Sequence, residues 1–109
     1  MSKWREGYKV LKASNRSSIM SRKKVKYLKN RTAKRPKKCG PLTLFSSRED
    51  AEYVFGFLLN DNIALLVKCE YLPSKCKTIW VEKHKKAFRW ALDELPLGTV
   101  LAEQIRCLE

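Results

Sequence analysis

The sequence has a single histidine, His84, and four widely spaced glycines, Gly7, Gly40, Gly56 and Gly98. His84 sits among Lys83, Lys85 and Lys86, and neighbouring cations lower an imidazole's pKa rather than orient it as a base. A serine or cysteine nucleophile therefore lacks its usual partner. The scattered glycines exclude a Gly-x-x-x-x-Gly-Lys phosphate loop and a dinucleotide-binding fingerprint. Zinc ligands usually arrive as close pairs such as Cys-x-x-Cys, whereas the nearest two cysteines here, Cys69 and Cys76, have six residues between them. No catalytic residue, metal site or cofactor is expected, and the chain reads as a binding protein rather than an enzyme.

Long apolar runs are missing too. Ile63 to Val67 is typical of the longest, far short of the about 20 apolar residues that span a bilayer. The first residues run straight into Lys3, Arg5 and Glu6 without the apolar block of a secretory signal. A cytoplasmic protein with no membrane partner is expected, the host cytosol if the protein is viral. The four cysteines, Cys39, Cys69, Cys76 and Cys107, then read as structural thiols, because disulfides rarely persist in a reducing compartment. Cys69 and Cys107 take apolar-facing positions of expected strands.

The third scarcity is of acid in the amino-terminal part. Residues 1–40 carry fifteen Lys and Arg against Glu6 alone, a net charge of +14, whereas residues 41–109 carry nine against ten acids, a net of −1. A near-neutral body with one cationic region is the charge pattern of an electrostatic binding surface. The candidate site is Arg22, Lys23, Lys24, Lys26, Lys29, Arg31, Lys34, Arg35, Lys37 and Lys38, with Tyr27 among them. Clustered cations bind phosphate backbones by releasing condensed counterions, and an aromatic ring stacks on an unpaired base. Trp4 and Tyr8 join Tyr27 as stacking candidates if the first strand lies alongside, while Tyr27 paired with Val25 also reads as a core residue. The expected partner is nucleic acid, RNA or DNA, or a host nucleoprotein complex. A protein partner would instead need anchors such as Trp80, Phe88 and Trp90.

Along the chain, Gly7–Lys12 reads as a strand whose lysines suit a sheet edge. Lys24–Tyr27 alternates as its meander partner. Asn30–Lys38 is dense in like charge and reads as a loop or arm, mobile when free. Gly40-Pro41 marks a turn, and Leu42–Phe45 a strand. Ser46 with Glu49, or Ser47 with Asp50, caps a helix whose apolar face is Ala51, Val54, Phe55, Leu58 and Leu59. Asn60-Asp61-Asn62 ends it. Ile63–Leu72 is the best central strand, Thr78–Val81 a short one, residues 83–95 irregular, and Thr99–Leu108 the closing strand. The fold class is α+β: a small curved, mostly antiparallel sheet with one covering helix at about residues 47–60, in a single domain 1–109 with a basic loop or arm at about 22–40.

Tyr8-Lys9-Val10-Leu11, Val25-x-Tyr27, Gly40-Pro41-Leu42-x-x-Phe45-x-x-x-Glu49-x-Ala51 and Leu95-Pro96-x-Gly98-Thr99-Val100-Leu101-Ala102 together resemble short phage-encoded accessory proteins. The resemblance covers most of the chain and implies a small α+β fold. It implies an inhibitor of a host defence enzyme, of the anti-CRISPR kind, and carries over no functional residue. The strand, capped helix, strand order from Leu42 to Leu72 is also similar to a reduced ADP-ribosyltransferase-like sheet. The acids available to such an enzyme, Glu49 and Glu52, lie on the helix, where capping already accounts for Glu49.

Overall fold

The computed structural model describes residues 3–19, 25–35, 41–76, 78–83, 86–91 and 95–109, with the backbone alone for 79–83 and 86–91. Among the described residues seven strands and one helix follow in the order β1 (Arg5–Lys12), β2 (Thr32–Lys34), β3 (Leu42–Phe45), α1 (Arg48–Asn60), β4 (Ala64–Pro73), β5 (Thr78–Lys83), β6 (Lys86–Ala91) and β7 (Thr99–Cys107). The first four and the last of the strands form one mostly antiparallel sheet, and β5 and β6 pair separately as a hairpin. The α+β expectation stands at that level, but the sheet is closed and not open. β7 pairs with β3 through Thr99–Ala102 and with β4 through Ala102–Cys107, while β1 pairs with both β3 and β4. The sheet thereby closes into a small barrel, with β2 added beside the second half of β7.

Alternation along the strands sorts side chains into two layers. Leu11, Leu42, Leu44, Val67, Cys69, Tyr71, Ala102, Ile105 and Cys107 fill the barrel together with Tyr27. Val10, Phe45 and Ala64 face the other way and meet Ala51 of α1. Phe45 and Phe55 touch edge to face, 5.9 Å between ring centres, a favoured aromatic geometry. Gly7 lets β1 cross β3 closely: a Cβ there would come within 2.7 Å of Leu44 and 3.0 Å of the Phe45 carbonyl.

The helix begins where its sequence requires. Ser47 is the N-cap and accepts the Asp50 amide at 3.2 Å, satisfying one of the free first-turn donors. Asp61 caps the other end, and Asn62 takes the left-handed conformation at φ 58°. Val54, Phe55, Leu58 and Leu59 pack half-buried against the sheet, as the periodicity predicts.

Four expectations need correction. The first strand is not an edge: β1 lies between β3 and β4, and its lysine pattern misleads because Lys9 points into the barrel. Of the expected meander strand Lys24–Tyr27, the described residues 25–27 form no regular strand, Lys26 alone among them bridging, to Ser17, although Val25 and Tyr27 do both face the core. The basic arm is partly strand, because Thr32, Ala33 and Lys34 pair with Arg106, Ile105 and Gln104. Within the segment read as irregular, Lys86–Ala91 forms a strand, as the period-two spacing of Phe88 and Trp90 allows.

Candidate functional site

The basic residues divide by what surrounds them. Lys26, Lys29, Arg31 and Lys34 are all exposed, Lys26 where the chain bridges Ser17 and the other three on the stretch that runs beside β7 from Lys29 onward. That stretch is well anchored: Lys29 bridges Cys107, the Asn30 amide donates to the Cys107 carbonyl at 2.8 Å, and the Arg35 amide donates to the Glu103 carbonyl at 2.9 Å. Arg16 secures its start by donating to the Tyr27 carbonyl at 2.8 Å and to the Glu109 carbonyl at 2.6 Å. Ala33 and Ile105 face the core while Lys34 and Gln104 pair on the outside.

Three other cations, Arg35 of the same basic region and Lys68 and Arg106 of the barrel strands, behave differently. Arg106 pairs with Glu70 at 2.6 Å, Arg35 with Glu103 at 3.0 Å and Lys68 with Glu6 at 3.7 Å. Among the described residues none of Lys26, Lys29, Arg31 and Lys34 has such a carboxylate partner. Their charge is left for solvent or for an acidic ligand. Arg22, Lys23, Lys24, Lys37 and Lys38 lie outside the described residues, as do Cys39 and His84.

Tyr27 does not belong to this surface. It is 1% exposed, so its ring is not available to stack on a base, and burial pushes its hydroxyl above the ordinary range. Trp4 is half-buried, with the Arg106 guanidinium 4.8 Å from its ring centre, and the Arg48 guanidinium stands 5.2 Å from that of Tyr8. Each ring has a cation–π partner of its own. The side chains of Trp80, Phe88 and Trp90 lie outside the described residues.

Two groupings have no signature in the sequence. The first is at the bulge on β7: Leu72 pairs with Gln104 and Pro73 with Ala102, so the register skips Glu103. The Glu103 carboxylate takes Arg35 and the Ser74 hydroxyl, and Arg35 also lies 3.3 Å from the Cys76 sulfur. The Ser74 hydroxyl and then the Arg35 guanidinium lower the Cys76 thiol. Only the fold brings residues 35, 74, 76 and 103 together. The second grouping is inside the barrel, where Lys9, 5% exposed, donates to the Thr43 carbonyl and stands near Cys69 and Cys107. Burial lowers its amine from the ordinary 10.5 to about 8, against the pull of the two sulfurs. A lysine between Tyr8 and Val10 gives no local sign of its burial.

Among the described residues no three His, Cys, Asp or Glu side chains gather closely enough to hold a metal ion, and no helix is long and apolar enough to cross a membrane. No protein-family model matches the chain, and neither the curated proteins nor the solved structures contain a match.

Proposed function

We propose that this chain is a non-catalytic binding protein whose basic amino-terminal region engages nucleic acid, RNA or DNA, directly or within a nucleoprotein complex of the cytosol. The observation that carries the reading is the contrast between paired and unpaired cations. Arg106 and Lys68 on the barrel strands and Arg35 just after β2 have carboxylates, whereas Lys26, Lys29, Arg31 and Lys34 stand exposed without them along one anchored stretch. Exposed cations held on a folded edge lose less conformational freedom on meeting phosphates than the same residues on a free arm. Arg22, Lys23, Lys24, Lys37 and Lys38 flank that stretch in sequence and extend the charge. Binding is then dominated by counterion release, with little sequence preference.

A second reading is supported by a separate feature. Tyr53 is 92% and Phe57 66% exposed, one turn apart on α1, and exposed aromatic side chains are common anchors of protein interfaces. That pair favours an inhibitor of a host defence enzyme working by protein–protein contact, the role implied by the likeness to phage accessory proteins. The basic stretch would then guide docking on an acidic or nucleic-acid-bearing face.

The test is recovery of partners from host lysate on the tagged protein, with and without nuclease, beside the Lys26→Glu, Lys29→Glu, Arg31→Glu, Lys34→Glu variant. Recovery that nuclease abolishes and the variant loses supports nucleic acid as the direct ligand. A discrete protein complex that survives nuclease and is lost in Tyr53→Ala, Phe57→Ala supports the second reading.

A further inference from the structure

We propose that Cys69 and Cys107 are a reversible dithiol–disulfide pair, closed by a glutathione-type disulfide, that cross-links the β4–β7 seam of the barrel. The two residues face each other directly in the antiparallel register. The neighbouring pair is the hydrogen-bonded one, since the Leu108 amide donates to the Lys68 carbonyl at 2.8 Å. Hydrogen-bonded and non-hydrogen-bonded pairs alternate along an antiparallel ladder, so Cys69 and Cys107 form a non-hydrogen-bonded pair. The Cys107 carbonyl agrees, because it points away from β4 and accepts the Asn30 amide. Pairs of that type bring the Cα atoms to about 4.5 Å, within the span of about 4.4–6.8 Å that a disulfide bridges. The sulfurs already lie 3.4 Å apart, with the Cys69 thiol donating to Cys107.

The surroundings favour the chemistry. The hydrogen bond between the two thiols lowers Cys107, helped by the Arg16 guanidinium and the buried Lys9 ammonium, while the same bond together with burial raises Cys69. Cys107 is therefore the attacking thiolate. It displaces one glutathione thiolate from oxidised glutathione and forms a mixed disulfide. The Cys69 sulfur, having lost its proton to solvent, then attacks the Cys107 sulfur and expels the second glutathione thiolate. Two protein thiols are oxidised, one glutathione disulfide is reduced to two thiols, and the released protons balance the two leaving thiolates. Both sulfurs are fully buried, so exchange requires local opening of the seam and is slower than at half-exposed Cys76.

The bond would also lie next to the basic stretch, because Cys107 anchors Lys29 and Asn30. Oxidation would fix that anchor.

The native protein is equilibrated with oxidised and reduced glutathione over a range of ratios, acid-quenched, and mapped by mass spectrometry without reduction. The expected result is a peptide link between Cys69 and Cys107 with loss of two hydrogens. It should persist in Cys39→Ser, Cys76→Ser, revert with excess reduced glutathione, and raise the thermal midpoint. In wild-type protein, Cys76 forms a glutathione adduct before the link appears. Two free thiols retained in that double variant at the most oxidising ratio, or a link that joins Cys39 or Cys76 instead in the wild type, would overturn the proposal. Mapping of the unaltered chain keeps the test decisive even if the double variant folds poorly.

Discussion

Lys9 and Tyr27 meet inside the barrel, the ammonium 5.1 Å from the centre of the ring. Both belong to segments whose composition suggests a working surface, and both are in the core. An ammonium in that setting is partly compensated by the aromatic face and by the Thr43 carbonyl, yet remains costly to bury.

That cost makes stability depend on pH. Lys9 is lowered to about 8 in the folded chain from an ordinary 10.5, so between those values the unfolded chain binds the extra proton and stability rises with pH. The penalty is present in full below about pH 8 and is relieved by about pH 10.5, a change on the order of 3 kcal/mol at 1.36 kcal/mol per pKa unit. Lys9→Met should lose this rise. Denaturant unfolding of both proteins from pH 7 to 10.5 checks it, the difference between the two curves cancelling most of the contribution of the other thiols and phenols. Parallel curves would show that Lys9 is charged throughout.

The Tyr27 hydroxyl is buried with no hydrogen-bond partner among the described residues. A desolvated and unpaired hydroxyl costs about 1–3 kcal/mol. Tyr27→Phe should therefore keep the fold and gain about 1 kcal/mol in denaturant unfolding at neutral pH. It should leave nucleic-acid affinity unchanged, an outcome that a stacking role would contradict.

At the start of the helix, Gly98 and Asp50 are in close approach. Gly98 has φ 86°, and a Cβ there would lie 2.2 Å from an Asp50 carboxylate oxygen. Gly98→Ala is expected to destabilise by about 2 kcal/mol, from left-handed strain plus displacement of Asp50. Ser47→Ala removes the cap and the hydroxyl's bond to the Asp50 carboxylate without backbone strain, and should cost about 1 kcal/mol. Thermal or chemical unfolding of the two variants should rank them in that order.

The capped helix, the central strand β4 and the closing strand β7 were legible because each rests on a local pattern: Ser47 with Asp50, the apolar run before Val67, and the alternation ending at Cys107. The closure of the barrel was not, since it depends on β7 meeting both β3 and β4, and no sequence spacing encodes which strands share an edge. The basic stretch was legible as charge but not as structure. Thr32-Ala33-Lys34 has only one small apolar residue to mark it as a strand, and its order comes from pairing with β7. Tyr27 shows the limit most plainly, because the same ring among lysines fits both a stacking platform and a core, and only packing decides. The Glu103 bulge, with Arg35, Ser74 and Cys76 around it, left no trace in the sequence, because it follows from a one-residue mismatch between two strands.

The most direct measurement is the affinity of the protein for duplex DNA and for single-stranded RNA as a function of salt, beside the Lys26→Glu, Lys29→Glu, Arg31→Glu, Lys34→Glu variant. If each of the four cations neutralises one phosphate, the slope of log affinity against log salt for duplex DNA is about −4, from about −0.9 per contact, and steeper if Arg22, Lys23, Lys24, Lys37 and Lys38 add contacts. The account predicts that slope for the wild type and a loss of most binding in the variant, with folding unchanged. Affinity indifferent to salt, or equal in the two proteins, would contradict it.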